Sequence, residues 1–583
     1  MIVLHMCRAV DTIPGSSHPW RFDNAPAIGN DNYGQRYSSA APSEEAGISL
    51  LAKKGIPAEV LKFFQTPGGH SVIVKGSAGT GKTTFALQLT EELGGINSSY
   101  YMSTRVSDTT LYNQFPWLKD RVRAGENMVA GRHYSRMLGQ EPVLVEEGTQ
   151  ISLEMRILGE KAQSKAVNAS GKKVDRTELQ KLEGRIEMGE EGEDEEYKGV
   201  GEGEVKEDSL IFDLGSDLPE IDMAYDAVEK NLPERTLVVI DSIDALSERY
   251  GLSSSKLINV LQKDLVESSM ANVLYVLENS GETKLDYLGD GVIMFRSDEY
   301  GGRRLRTMSI EKLRGSEVRQ HKYLYTLDGG RLRAFESSRH SRPAETSNWS
   351  AVPDPSKECV STGHVAIDAL IGGLREGGLG ALEIGANVPT EFVDELRTGL
   401  ICNFATMGRG VAHVPPGKAG AESVKQMAGR YLAEGVFDKR VRVFESTPMG
   451  TLEESKSAIH VEGSNIDTDL KWNNVEYHLP SAKHPFLSLM AFDTLESVYG
   501  PSVLEGMSGH IAAVRRSKDI FIGTSTATTA SNQKLADLAS VHIKLQIVAG
   551  TVLLYCEKPY TEIYHLAFDY SGGFPQVVLT PLV

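Results

Sequence analysis

The chain has 583 residues, 40% of them hydrophobic, and a formal net charge of −18. That length implies two to four domains, and the acidity excludes broad nucleic-acid affinity, which depends on neutralising phosphates. No run of about 18 apolar residues occurs, so no transmembrane helix is expected, and Met1 to Val10 are too short and too polar-flanked for a signal peptide.

Residues 1–43 are rich in Gly, Ser, Pro and Asn without periodicity and read as a disordered leader. From Glu44 to Phe64 the apolar spacing is helical, broken at Gly55-Ile56-Pro57. Pro67-Gly68-Gly69 then turns the chain into the run Val72-Ile73-Val74-Lys75. Directly after it come Gly76, Ser77, Ala78, Gly79, Thr80, Gly81, Lys82, Thr83 and Thr84, and a helical pattern with Phe85, Leu87, Leu89 and Leu93 ends at Gly94-Gly95. This is GxxxxGK[ST] in its strand–loop–helix setting, the phosphate-binding loop. The glycines let backbone N–H groups curl around an anion, and the helix start adds a partial positive charge there. Lys82 is placed to reach the β- and γ-phosphates of ATP and the Thr83 hydroxyl to ligate Mg²⁺.

Tyr100 to Arg105 is short and β-prone, a second core strand of a right-handed βαβ unit. Phe115-Pro116-Trp117-Leu118 reads as an aromatic-anchored loop, and Val143-Leu144-Val145 as a weak strand. The character changes over about 152–208. Between Glu187 and Asp208 stand eleven acids and two lysines, half the excess charge of the whole chain, so this stretch reads as a solvated insertion. After a helix near Ile221 to Leu232 comes Thr236-Leu237-Val238-Val239-Ile240-Asp241-Ser242, a strand buried on both faces with an acid at its carboxyl end. Downstream of a phosphate loop this is the Walker B pattern, with Asp241 holding Mg²⁺ through water. A helix (Ser253 to Glu267) and a buried strand (Asn272 to Leu277) lead to Glu278, which is either a water- or γ-phosphate-contacting acid or simply a strand-terminal one. Gly291 to Phe295, Leu305 to Ile310 and Tyr323 to Leu327 alternate like antiparallel strands, and Asp328-Gly329-Gly330 marks a hairpin. The same stretch carries Arg303, Arg304, Arg306, Lys312 and Arg314, a basic patch that is a solvated strand face or an anion and partner contact.

Ser337 to Pro355 reads as a linker (336–355) between a first unit, 44–335, and a second, 356–583. The second unit opens at Ser361-Thr362-Gly363. Its strand Ala381 to Gly385 sits where a phosphate loop should start, but Ala386-Asn387-Val388-Pro389-Thr390-Glu391 has no Gly-Lys-Thr and predicts poor nucleotide binding at best. Phe486 to Thr494, with Asp493, resembles a second Walker B strand, Ile520 to Thr524 the strand after it, and alternating strands close the chain. Cys7, Cys359, Cys402 and Cys556 match neither metal nor disulfide spacing and read as ordinary thiols of a reducing cytoplasm.

The phosphate loop, Val238 to Ser242, Leu288 to Ile293 and Ile310-Glu311-Lys312-Leu313-Arg314-Gly315 together resemble RecA-superfamily ATPases of the KaiC/RadA branch. Ser361-Thr362-Gly363 through Gly372-Gly373-Leu374 looks like the entry of a second KaiC domain. His70 to Leu93, with Ser103 to Ser107 and Phe115-Pro116-Trp117, is similar to the P-loop domain of the GvpD family of archaeal gas-vesicle regulators. The resemblance implies an α/β fold: a RecA-like core of mostly parallel sheet, then a degenerate copy lacking a phosphate loop. It also implies a homo-oligomer, ring or dimer, in which Lys312 and Arg314 reach the nucleotide of a neighbouring subunit, and a role for Arg303, Arg304 and Arg306 in contacting a protein partner. One departure stands out. KaiC and RecA carry a catalytic glutamate just after the second strand, where this chain has Ser103-Thr104-Arg105, leaving Asp244, Glu278 or no residue to position water. The expected function is a regulatory ATPase of low turnover, or a nucleotide-gated switch, acting on assembly or on a partner such as a transcription regulator. The alternatives are a RadA-like DNA-binding ATPase, disfavoured because Ser280 to Tyr287 holds one lysine against two acids, and a scaffold that binds ATP without hydrolysing it.

Overall fold

A computed structural model describes residues 55–94, 98–118, 128–130, 218–279, 281, 284–417, 419–445, 456–471 and 476–583. The leader, the helical stretch before Gly55, the Val143–Val145 strand and the acidic insertion lie outside the described residues.

The first half builds one sheet from β1 (Ser71–Gly76), β2 (Ser98–Ser103), β3 (Met128–Ala130), β4 (Thr236–Asp241), β5 (Asn272–Leu277), β6 (Gly291–Tyr300), β7 (Arg303–Leu313), β8 (Lys322–Thr326) and β9 (Arg333–Phe335). Their order is β3-β2-β4-β5-β1-β6-β7-β8-β9. Neighbours from β3 to β6 run parallel, and those from β6 to β9 antiparallel. All of β1 is buried, as is β4 up to Asp241, which is what a β-branched run inside a helix-covered parallel sheet requires. Ile73, Tyr100, Val238, Ile240 and Tyr275 pack there against Leu257 and Leu261 of the helix Ser254–Leu261. β6 and β7 run longer than the alternation predicts because Gly301-Gly302 closes them into one tight hairpin.

The second half starts with a small hairpin, β10 (Cys359–Val360) and β11 (Leu374–Arg375). Its sheet comprises β12 (Leu379–Ile384), β13 (Arg409–Val414), β14 (Val441–Glu445), β15 (Ala458–His460), β16 (Lys483–Ala491), β17 (Ile520–Thr526), β18 (Val541–Val548), β19 (Thr551–Lys558), β20 (Tyr564–Asp569) and β21 (Gln576–Pro581). The order β15-β14-β13-β16-β17-β12-β18-β19-β20-β21 repeats that of the first sheet strand for strand, with β15 added at one edge. β12 thus takes the place of β1, and β16 that of β4. The Walker B likeness of the second half is corrected in one respect. β16 ends at Ala491, and Asp493 lies in the first turn of the next helix, Phe492–Tyr499, so it is not a strand-end acid like Asp241.

The described residues from Gly55 to Val583 form one compact unit. Leu305, Leu324 and Phe335 of the first sheet share an apolar cluster with Leu553, Tyr555, Ile563 and Leu582 of the second half. The segment 336–355 does not hang free. Arg342 and His340 both pair with the buried Glu395 carboxylate (3.2 Å for His340), Trp349 Nε1 donates to Asn403 Oδ1 (3.3 Å), and Val352 and Asn403 exchange two further hydrogen bonds.

Candidate functional site

β1, β2, β4 and β5 all end at the same edge of the first sheet, the edge where ligands bind in open α/β folds. Gly76 closes β1 at a point where a Cβ would stand 2.4 Å from the Phe295 carbonyl oxygen, so no other residue fits. Beyond it the loop rises to Gly79, at φ +75° and with open space where a Cβ would be, and the helix Lys82–Leu93 begins. The loop is braced from behind: Tyr325 donates to the Thr80 carbonyl.

Lys82 is buried, and its Nζ donates to the carbonyls of Gly76 (2.6 Å) and Ser77 (2.9 Å). Burial lowers its pKa, and Glu278, Asp241 and Asp244 oppose that shift. Thr83 Oγ1 donates to Asp241 Oδ2 at 2.7 Å, and the same oxygen accepts from the Tyr101 hydroxyl at 2.6 Å. Burial and then the Asp241 charge push the Tyr101 phenol well above its ordinary range, so it stays a donor. The Asp241 carbonyl takes the Thr104 N–H (2.8 Å) and hydroxyl (2.9 Å), which locks the loop after β2 onto the end of β4. A hydroxyl and a carboxylate this close, both oxygen donors, suit a hard divalent cation of the Mg²⁺ class that keeps most of its waters.

Asp244 and Glu278 come together, since Asp244 Oδ2 accepts the Glu278 backbone N–H at 2.6 Å. The Glu278 carboxylate is engaged by Arg105 at 2.5 Å. Arg105 therefore belongs to the same constellation, together with Tyr101, and neither is among the candidate site residues read from the sequence. Lys75, the last residue before the loop, is buried and pairs with Asp286, pinning the short turn Lys284–Tyr287 beside β1.

The arginine patch is placed differently from either sequence reading. Arg306 is buried and donates through Nη1 to the Gly79 carbonyl (2.9 Å) and through Nε to the Val583 carbonyl (2.8 Å). Arg303 is buried over Tyr560 and Tyr555 (4.0 and 4.6 Å to the ring centroids) and donates to the carbonyls of Thr561 and Cys556. Both side chains are spent on their own chain, largely on its second half, and of the three only Arg304 is exposed. Residue order groups them as a basic patch but could not reveal that Arg303 and Arg306 are covered. Lys312 and Arg314 do not join the site within the chain. Lys312 pairs with Val292, level with Ile73 and back towards the start of β1, and the two side chains bond the Asp286 carbonyl (2.9 Å) and the Asp290 carboxylate (3.0 Å).

In the second half the corresponding place is filled. A Cβ on Gly385 would meet Gln546 Oε1 at 2.6 Å, and Val388 is buried in an apolar cluster with Leu382, Phe392 and Leu554.

Residues 60–132 match the family model described as the GvpD gas vesicle protein, P-loop domain. This stretch is thus similar to the GvpD P-loop domain. The likeness to GvpD extends well beyond it. GvpD2 of Halobacterium salinarum is 23% identical over 561 residues, covering 93% of this chain and 98% of the relative. GvpD1 of the same organism is 21% identical over 604 residues, with the same shares of the two chains covered. Both halves of the fold, and the strap between them, fall within that GvpD similarity. No helix among the described residues is long and apolar enough to cross a membrane.

Proposed function

We propose that this chain binds ATP with Mg²⁺ at the Gly76–Thr84 loop and uses the bound state to regulate a protein partner in gas-vesicle formation. The observation that carries this reading is the convergence of Lys82, Thr83 and Asp241 at the mouth of a loop whose crest is open. Lys82 and the loop amides would hold the phosphates, and Thr83 and Asp241 the cation. Bound there, Mg²⁺ would supply neutralisation of the charge on the terminal phosphates. Asp244 and Glu278 stand as the carboxylates able to orient water, and Lys312 and Arg314 as contacts to a neighbouring subunit's nucleotide in a homo-oligomer. Turnover is slow in this reading, because Arg105 stands where the resembling ATPases place their glutamate. The gas-vesicle context is carried by the likeness to the GvpD proteins.

The test measures ATP binding and hydrolysis together for the wild type and Lys82→Ala, with particle size determined with and without ATP. Binding and slow hydrolysis lost in the variant, with size responding to ATP, is the expected result. Tight binding without turnover would reduce the protein to a nucleotide-gated scaffold, and a wild type that binds no ATP would end the reading.

A further inference from the structure

We propose that Arg105 and Glu278 form a γ-phosphate sensor, in which the guanidinium exchanges the Glu278 carboxylate for the terminal phosphate of ATP and keeps it when ADP is bound. This rests on the reading that ATP binds at the phosphate loop.

The backbone around Arg105 is held on all sides while its side chain is held at one point. Thr104 is tied to Asp241 and Ser242 through its N–H and hydroxyl, and its carbonyl accepts from Arg249 at 2.8 Å. Ser103 Oγ donates to the Val106 carbonyl at 2.8 Å, closing the turn from the other side. The root of the side chain is therefore fixed beside Asp241. Its far end has one described hydrogen-bond partner, Glu278 at 2.5 Å. Glu278 is anchored in turn at its backbone, since its own N–H is bonded to Asp244. Arg105 follows the end of β2 and Glu278 the end of β5, so the pair stands at the same sheet edge as Asp241 and the phosphate loop.

The energetics favour an exchange. Arg105 and Glu278 are 44% and 39% exposed, and an ion pair so open to water is worth little. A guanidinium on a phosphate makes charge-assisted, bidentate contacts, which are among the stronger polar interactions. A third phosphate therefore outcompetes the carboxylate for Arg105. A diphosphate, ending one group short of the pair, leaves it closed. The exchange also uncovers a negative charge on Glu278 at the mouth of the site, so the two nucleotide states differ in surface charge as well as in contacts.

The experiment is calorimetric titration of the full chain with Mg²⁺ and either ADP or a non-hydrolysable ATP analogue. It compares the wild type, Arg105→Gln, Glu278→Gln and Lys82→Ala, and needs no turnover. In Arg105→Gln the analogue should bind at least tenfold more weakly, about 1.4 kcal/mol, with ADP changed less than twofold. In Glu278→Gln the analogue should bind severalfold more tightly, because its competitor for Arg105 is neutralised. Equal changes for both nucleotides in Arg105→Gln, or none, overturn the sensor while leaving the phosphate-loop reading intact if Lys82→Ala still loses both. A wild type that binds neither nucleotide overturns the phosphate-loop reading and the sensor with it.

Discussion

β1 runs out at Gly76 into an open crest backed by Lys82, Thr83 and Asp241, whereas β12 runs out at Gly385 against Gln546 and into the buried Val388. The strands around both points come in the same order. The difference lies in what stands at the strand's end: backbone amides and a lysine in one half, aliphatic carbon in the other. β16, which takes the place of β4, also lacks a terminal acid, since Asp493 lies in the following helix. A sheet order is thus far more durable than the half-dozen side chains that make it a site, because the order is held by apolar packing throughout the core and the site by a few polar groups.

The contrast can be broken most forcefully with acid. Three histidines of the second half, the buried His364 and His413 and the half-buried His565, are held by burial down to about 4, 3 and 4. Their folded values lie below the unfolded one near 6.5, so the stability they support is present above pH 6.5 and is lost as pH falls towards 4. Each contributes a slope of roughly 1.4 kcal/mol per pH unit in that window. Urea midpoints should drop steeply between pH 6.5 and 5, with hydrogen exchange accelerating first in peptides from the second half; a flat profile would mean these imidazoles are hydrated in the fold.

A single cut in the strap comes next. Arg342→Ala takes the guanidinium from the buried Glu395 and leaves it to His340 and Tyr570, at a cost of about 3 kcal/mol in denaturant titration. If the midpoint is unmoved, the strap contributes nothing to the second half.

Substitutions in the two loops then sharpen the chemical side of the comparison. Lys82→Ala should weaken binding of Mg²⁺-ATP by roughly 100-fold, about 2.7 kcal/mol, measured by fluorescence of a labelled nucleotide. Asn387→Ala, in the corresponding loop of the second half, should leave the same titration unchanged; an effect there would give the second half a ligand after all. The smallest effect is expected of Tyr101→Phe, which removes one donor from Asp241. It should weaken nucleotide binding in Mg²⁺ severalfold, about 1 kcal/mol, and leave binding without Mg²⁺ untouched.

Much of this was legible in residue order. The phosphate loop reads directly because its glycines, lysine and threonine are consecutive, and Asp241 because it ends a run too apolar to be anything but a buried strand. The shared order of the two sheets was visible in matching runs. What escaped is what depends on facing elements. Tyr101 looks like any buried strand tyrosine until β4 brings Asp241 beside it. Arg105 looks like a missing glutamate until Glu278, 173 residues later, closes on it. Arg303 and Arg306 look like a charged surface because residue order carries no sign of what packs over a strand.

Arg306 and the cluster of Leu305, Leu324 and Phe335 with Leu553, Tyr555, Ile563 and Leu582 have one more consequence. The copy whose loop is filled supplies part of the wall behind the copy whose loop is open. Gene truncation that discards the second half would strip carbon and a carbonyl from the first, leaving an apolar face bare to water and prone to aggregate. A half without a phosphate loop thus serves as ballast for the half that has one.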